Sequence, residues 1–229
     1  MKKRSKRFEE LKKLSTKEKK LELKEIFDLV KKTSTAKFDE SIDLSLRINL
    51  KQSKGGDFNL RTVIKLPNGS GKKTKVAVLC ETDKLSEAKK SGADIVGSDD
   101  LLEKIASGKF GFDKLICTPG MMSKIGKHGK VLGPKGLMPN PKLGTVSNDI
   151  KKAVEDIKTG LVEVKNDKDG NLASTIGRKS FSNEKLLNNY NHFIDSVKKE
   201  KPSTIKGELI KNIFITSTMG ISYKVGKRS

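Results

Sequence analysis

The sequence predicts an α/β protein of two domains: a discontinuous α+β domain assembled from both chain ends, and a doubly wound parallel-sheet domain inserted into it. Three observations carry this. Apolar residues alternate with polar ones in the first and last thirds of the chain, as in strands with one wet face. In the middle they come in unbroken runs separated by helical segments, as in parallel strands buried on both faces. A turn-rich stretch, Pro67-Asn68-Gly69-Ser70-Gly71, divides the two textures. At 229 residues the length suits two domains, which usually run about 100 to 150 residues each.

Taken in order, Lys17 to Lys32 sets Leu21, Ile26, Leu29 and Val30 among lysines and glutamates, an amphipathic helix with Ser15 and Glu18 as its capping box. SIDLSLRINL then places Ile42, Leu44, Leu46, Ile48 and Leu50 at every second position, and NLRTVIKL continues after the turn-rich Ser53 to Asp57. Beyond the junction, VAVLC, DIVG and KLIC alternate with the helical DKLSEAKKSGA, DDLLEKIASG and NDIKKAVEDIKTG. After Gly160 alternation returns in LVEVKND and LASTIGRKSF, flanking the turn Lys168-Asp169-Gly170-Asn171, before a helix from Asn183 to Lys199 and a last strand, KNIFITST. The ends resemble each other more than the middle. Residues 72–159 are therefore read as an insertion into a domain formed by 1–71 and 160–229, and two chain crossings at one junction permit a hinge.

Charge narrows the partner. Forty-nine Lys and Arg against 28 Asp and Glu give +21, a field that attracts polyanions. A membrane is disfavoured, because no apolar run approaches the roughly 20 residues a spanning helix needs. The first residues lack a secretory core and carry glutamates, so the protein is expected to remain in the cytoplasm. Aromatics make up 5%, with no Trp and two Tyr, which is poor in stacking platforms for single strands. A folded RNA read through shape, phosphates and 2′-hydroxyls fits better.

Catalysis finds little footing. Cys80 and Cys117 each close an apolar run and are expected to be buried, reduced thiols. With His128 and His192 as the whole histidine complement, and no CxxC or HxxxH spacing, no metal is expected. Neither GSGKKT nor the glycines near Lys135 satisfy the P-loop spacing, and the first parallel strand leads into Glu81-Thr82-Asp83 rather than a dinucleotide fingerprint, so no cofactor is expected. The strongest competing function is a phosphate-substrate enzyme that uses the doubly wound domain. Its cradle would be GKHGKVLGPKGLMPNPKLGTV, residues 126–146, where Lys127, Lys130, Lys135 and Lys142 supply charge. The same segment reads equally as a rigid lid, its path set by Pro134, Pro139 and Pro141 and plugged by Leu132, Leu137 and Met138.

Two short stretches at the chain ends remain. Phe38, between Lys37 and Asp39, reads from its surroundings as a core residue on the first helix. ITSTMG, Ile215 to Gly220, collects small hydroxyls, a thioether and a glycine at a strand exit.

The long loop is similar to the signature of the large-subunit ribosomal protein L one family, bacterial type. KFDES, RTVIKLPNGSGK, GADIVGSDDLLEKI, KSF, KPSTIKG and STMG follow in that family's order over nearly the whole chain. The resemblance implies a discontinuous α+β domain, an inserted Rossmann-like three-layer domain and no catalysis. It implies that the first grips a stalk of large-subunit rRNA beside the tRNA exit site, aiding release of deacylated tRNA. It further implies repression of the protein's own mRNA and a monomer when off the ribosome. Carried onto this sequence, the contacts are Lys37, Phe38, Ser41 and Asp43 with Ser217, Thr218, Met219 and Gly220, so the two segments must meet in space and Phe38 should face RNA. Three positions depart from the family pattern: Asn68 stands where histidine is common, Gly120 where aspartate is usual, and Ile221 where proline is common.

Overall fold

A computed structural model of the chain describes residues 5–14, 21–49, 60–108, 110–201 and 207–226, and it is mixed α/β. The first elements are α1 (Lys6–Leu14), α2 (Leu23–Thr33), β1 (Ser41–Ile48) and β2 (Arg61–Lys65). Then come β3 (Val76–Leu79), α3 (Leu85–Lys90), β4 (Ile95–Gly97), α4 (Asp99–Ala106), β5 (Lys114–Cys117), α5 (Met122–Gly126), α6 (Gly129–Leu132) and α7 (Ile150–Lys158). The last are β6 (Leu161–Lys165), β7 (Asn171–Arg178), α8 (Asn183–Lys199), β8 (Ile210–Ser217) and β9 (Tyr223–Lys224). The chain divides into two compact units, Met1–Gly71 with Val162–Ser229, and Lys72–Leu161.

In the first unit the strand order is β7-β1-β8-β9, with β1 antiparallel to both neighbours. The period-two pattern of β1 causes this. Ile42, Leu44, Leu46 and Ile48 are all buried, and they share one core with Ile26, Phe27 and Val30 of α2 and with Leu186, Tyr190, Phe193 and Val197 of α8. Ser41, Asp43, Ser45 and Arg47 turn to the opposite face. β2 and β6 form a separate two-stranded sheet.

The first helix differs from expectation. α2 begins at Leu23, where the Glu22 N–H donates to the Glu25 carboxylate at 3.1 Å, a cap made by glutamates. Residues 15–20 and 50–59 lie outside the described residues, and with them the Ser15–Glu18 pair, Leu50 and the Ser53 to Asp57 turn. α1, which precedes α2, was not legible as a helix; its Leu11 is buried.

Asn189 of α8, fully buried, ties the junction to the sheet: its Nδ2 donates to the Gly69 carbonyl at 3.0 Å and the Ile176 carbonyl at 2.8 Å, while its Oδ1 accepts from the Asn68 N–H at 3.0 Å. Asn189→Ala would leave these groups without their partner and should cost about 1–3 kcal/mol, measurable as a lower urea midpoint at unchanged slope.

The second unit holds a parallel sheet, β4-β3-β5. Its unbroken apolar runs are explained by two cores. Ala77, Leu79, Leu115 and Cys117 enter one with Leu101, Leu102 and Ile105 of α4; Val76, Val78 and Ile116 enter the other with Ile150, Val154 and Ile157 of α7. Asp149 caps α7, accepting from the Lys152 N–H at 3.1 Å.

The Gly/Pro/Lys segment carries α6 and a single 3-10 turn, Pro141–Leu143, more local structure than its composition predicts. Leu132 and Leu143 are buried, and Leu137 and Met138 pack on the α4 side of the sheet, as the lid reading requires. Lys127, Lys130, Lys135 and Lys142 stay exposed, with Lys135 Nζ 3.9 Å from the Phe110 ring centroid.

Candidate nucleic-acid interface

The alternation that buries Ile42 and Leu44 makes β1 central in its sheet, and β8 pairs along its length, Ile42 opposite Ser217 and Asp43 opposite Thr216. The segment just before β1 is thereby brought beside the segment just after β8. The Thr218 N–H donates to the Ser41 carbonyl at 3.1 Å, and the Ser41 N–H donates to Thr218 Oγ1 at 3.0 Å.

On this edge the described residues expose two large apolar side chains, Phe38 at 53% and Met219 at 50%. The exposure of Phe38 removes its reading as a core residue. Lys37 is also exposed, and Ser41 and Asp43 are half-buried on the face opposite the helices. The Asp43 carboxylate accepts from the Thr175 hydroxyl at 2.6 Å, which fixes its direction.

Ser217 stands apart at 2% exposure; a Cβ on Gly220 would collide with its Oγ. Ser217 therefore supports the turn from below, and Gly220 is the residue that leaves it room. Ile221, half-buried, packs against the core of this unit where proline is common in the resembling family. The other two departures are also accommodated: Asn68 bonds to Asn189, and the Glu81 carboxylate occupies the space that a side chain at Gly120 would need.

Sequence reasoning missed the residue beneath these loops. Glu40 is fully buried; its Oε1 accepts from the Ala36 N–H at 2.9 Å and its Oε2 from the Met219 N–H at 3.0 Å. Burial pushes its pKa up, but the Ala36 and Met219 amides, the nearby Ser217 hydroxyl and the positive Arg7 outweigh it and hold the carboxyl below its ordinary value. A depressed folded value means that its contribution to stability is present above the unfolded carboxylate pKa and is lost as pH falls through the folded one. The signal was available: Glu40 falls on the parity of Ile42 and Leu44, a charge at a core position. Arg7 of α1, also missed, donates through Nε to Thr35 Oγ1 at 2.8 Å and through its terminal nitrogen to the Met219 carbonyl at 2.9 Å.

Such an arrangement suits docking. It offers apolar tips for a base or sugar face and hydroxyls for phosphate or 2′-OH, on a chain of strong positive charge. The thiols are poor nucleophiles: burial pushes Cys117 up to about 11, and it raises Cys80 with help from Glu81 and Glu87. Among the described residues no group of three or more His, Cys, Asp or Glu could hold a metal, and no helix is long and apolar enough to cross a membrane.

The model of the Ribosomal protein L1p/L10e family matches residues 30–221. A protein named large ribosomal subunit protein uL1 from Pelagibacter ubique (strain HTCC1062) is 62% identical over 197 residues, 86% of this chain and 86% of its own. Proteins of the same name from Thermosipho africanus (strain TCF52B) and Kosmotoga olearia (strain ATCC BAA-1733 / DSM 21960 / TBF 19.5.1) are 47% and 46% identical, each covering 98% of this chain and 97% of its own.

Proposed function

The chain belongs to the Ribosomal protein L1p/L10e family, a component of the large ribosomal subunit, and on that premise we propose that it binds the rRNA stalk beside the tRNA exit site. The observation that carries this reading is the exposed pair Phe38 and Met219, presented on adjoining loops above the Ser41–Thr218 pairing. Lys37, Phe38, Ser41 and Asp43 form one half of the contact, and Thr218, Met219 and Gly220 the other, with Ser217 beneath. Residues 1–71 and 160–229 act as the RNA-binding domain, and 72–159 as an inserted Rossmann-like domain on a two-stranded hinge. Motion about that hinge lets the protein aid release of deacylated tRNA. The same surface, presented with a similar fold in the protein's own message, makes it a translational repressor. It works in the cytoplasm on the ribosome, and as a monomer when free.

Lys127, Lys130, Lys135 and Lys142 form a secondary phosphate contact. Their loop is anchored by Leu132 and Leu143, so the charges sit on a fixed support rather than a mobile cradle. Crosslinking in cells followed by sequencing of the attached RNA tests the proposal: reads should concentrate at one large-subunit rRNA site, with a second peak on the protein's own message. Reads spread over messenger and ribosomal RNA without a peak would oppose it.

A further inference from the structure

We propose that Glu40 is a positioning residue for RNA binding, a buried two-pronged clamp that sets Phe38 and Met219 in their binding geometry before RNA arrives. The proposal rests on the RNA-binding reading above and deepens it. The strand register of β1 and β8 ends at Ile42 and Ser217 and is closed by the Ser41–Thr218 bonds, so the tips that carry Phe38 and Met219 lie beyond it. There the Glu40 carboxylate is the shared partner on the buried side. One oxygen holds the loop of Ala36, four residues before Glu40, and the other holds the turn at Met219, 179 residues after it.

The chemistry requires a carboxylate of this length. The two N–H donors arrive at different oxygens of the carboxylate, and an amide side chain would put a donor in place of one of them, opposing that N–H. Aspartate is one methylene too short to keep both reaches. An apolar residue would continue the buried run of Ile42, Leu44 and Leu46 and fill the position, but it would hold neither loop. The sheet does not depend on the clamp, since Phe27, Ile42, Ile215 and Phe193 lock it from the core. What the clamp supplies is order at the tips, and a loop ordered before binding costs less affinity than one ordered during it. Arg7 spans the same two segments from outside, at Thr35 and at the Met219 carbonyl.

The test uses the full chain with Glu40→Gln and Glu40→Asp, each alone and combined with the double substitution Phe38→Ala, Met219→Ala, beside Met219→Ala alone, and a transcribed stalk fragment of large-subunit rRNA. Without RNA, amide exchange at Ala36 or Met219 should quicken about 10-fold or more while Leu44 and Ile215 keep wild-type protection. RNA affinity should fall about 10- to 100-fold in either single variant but less than about 3-fold further in the Phe38→Ala, Met219→Ala background, because a clamp has no effect where both its tips are gone. A residue of merely structural importance would lower affinity equally in both backgrounds, and that result overturns the proposal. So does wild-type affinity in both Glu40 variants while Met219→Ala weakens binding, or failure of both variants to fold. If Met219→Ala itself leaves affinity unchanged, it is the RNA-binding reading that fails, and the clamp with it.

Discussion

Replacing Phe193 with alanine is expected to lower the free energy of unfolding by about 3–5 kcal/mol, seen as a fall in the urea midpoint followed by far-UV circular dichroism. Phe193 is fully buried on the inner face of α8, where it packs with α2 and β1, so truncation removes apolar burial and leaves a cavity the surrounding side chains cannot fill. The same change at Phe38, which is 53% exposed, should alter stability by less than about 0.5 kcal/mol. One residue type thus serves two purposes, and the melting curves separate them: the first substitution acts on the fold, the second on what the fold presents.

The second large effect concerns binding. A Thr218→Ala, Met219→Ala double variant should remain folded and bind the stalk RNA more weakly by about 1–3 kcal/mol. Thr218 contributes a hydroxyl that accepts from the Ser41 N–H, and Met219 one of the two exposed apolar tips, so the double variant removes one of the two Ser41–Thr218 bonds and half of the apolar contact. Measured by filter binding at several salt concentrations, the loss should persist as salt rises, because it falls on short-range contacts. The lysine field should weaken binding of wild type and variant in parallel.

How far the sequence speaks can be judged at particular residues. β1 was readable position by position, since Ile42, Leu44, Leu46 and Ile48 obey a period of two and each is buried. The unbroken runs of the second unit were readable for the opposite reason: neighbouring residues serve two cores, Val76 and Val78 on one side, Ala77 and Leu79 on the other. The helix read from Asn183 to Lys199 keeps those bounds as α8, and the structure adds its cap, Ser182, whose hydroxyl accepts from the Lys185 N–H at 3.4 Å. α1 was not readable, because Phe8 and Leu11 among lysines and glutamates make too thin a stripe to separate from a solvated tail.

At the candidate interface the division is similar. Residue chemistry placed Phe38 in the core, and only the resemblance pointed it outward; its direction depends on a loop tied down by a residue four positions from Ala36 and by another near the far end of the chain. Glu40 escaped notice because, although it shares the parity of Ile42 and Leu44, it stands one step before the strand, and its partners are backbone amides, which every residue except proline carries. Asp43 gave no sign of its Thr175 partner, since a cross-strand pair requires the register, and here the register shifts between Ile42 and Asp43. Long-range pairing is what local pattern cannot reveal.

The central claim is that RNA is held where the start of β1 meets the end of β8. Amide exchange of the full chain with and without the stalk RNA, resolved to short peptides, tests it most directly. Added protection confined to residues 36–43 and 216–220, with at most a weak second change at 127–142, is the predicted result. Protection at 127–142 alone, with the β1–β8 edge unchanged, would contradict the account.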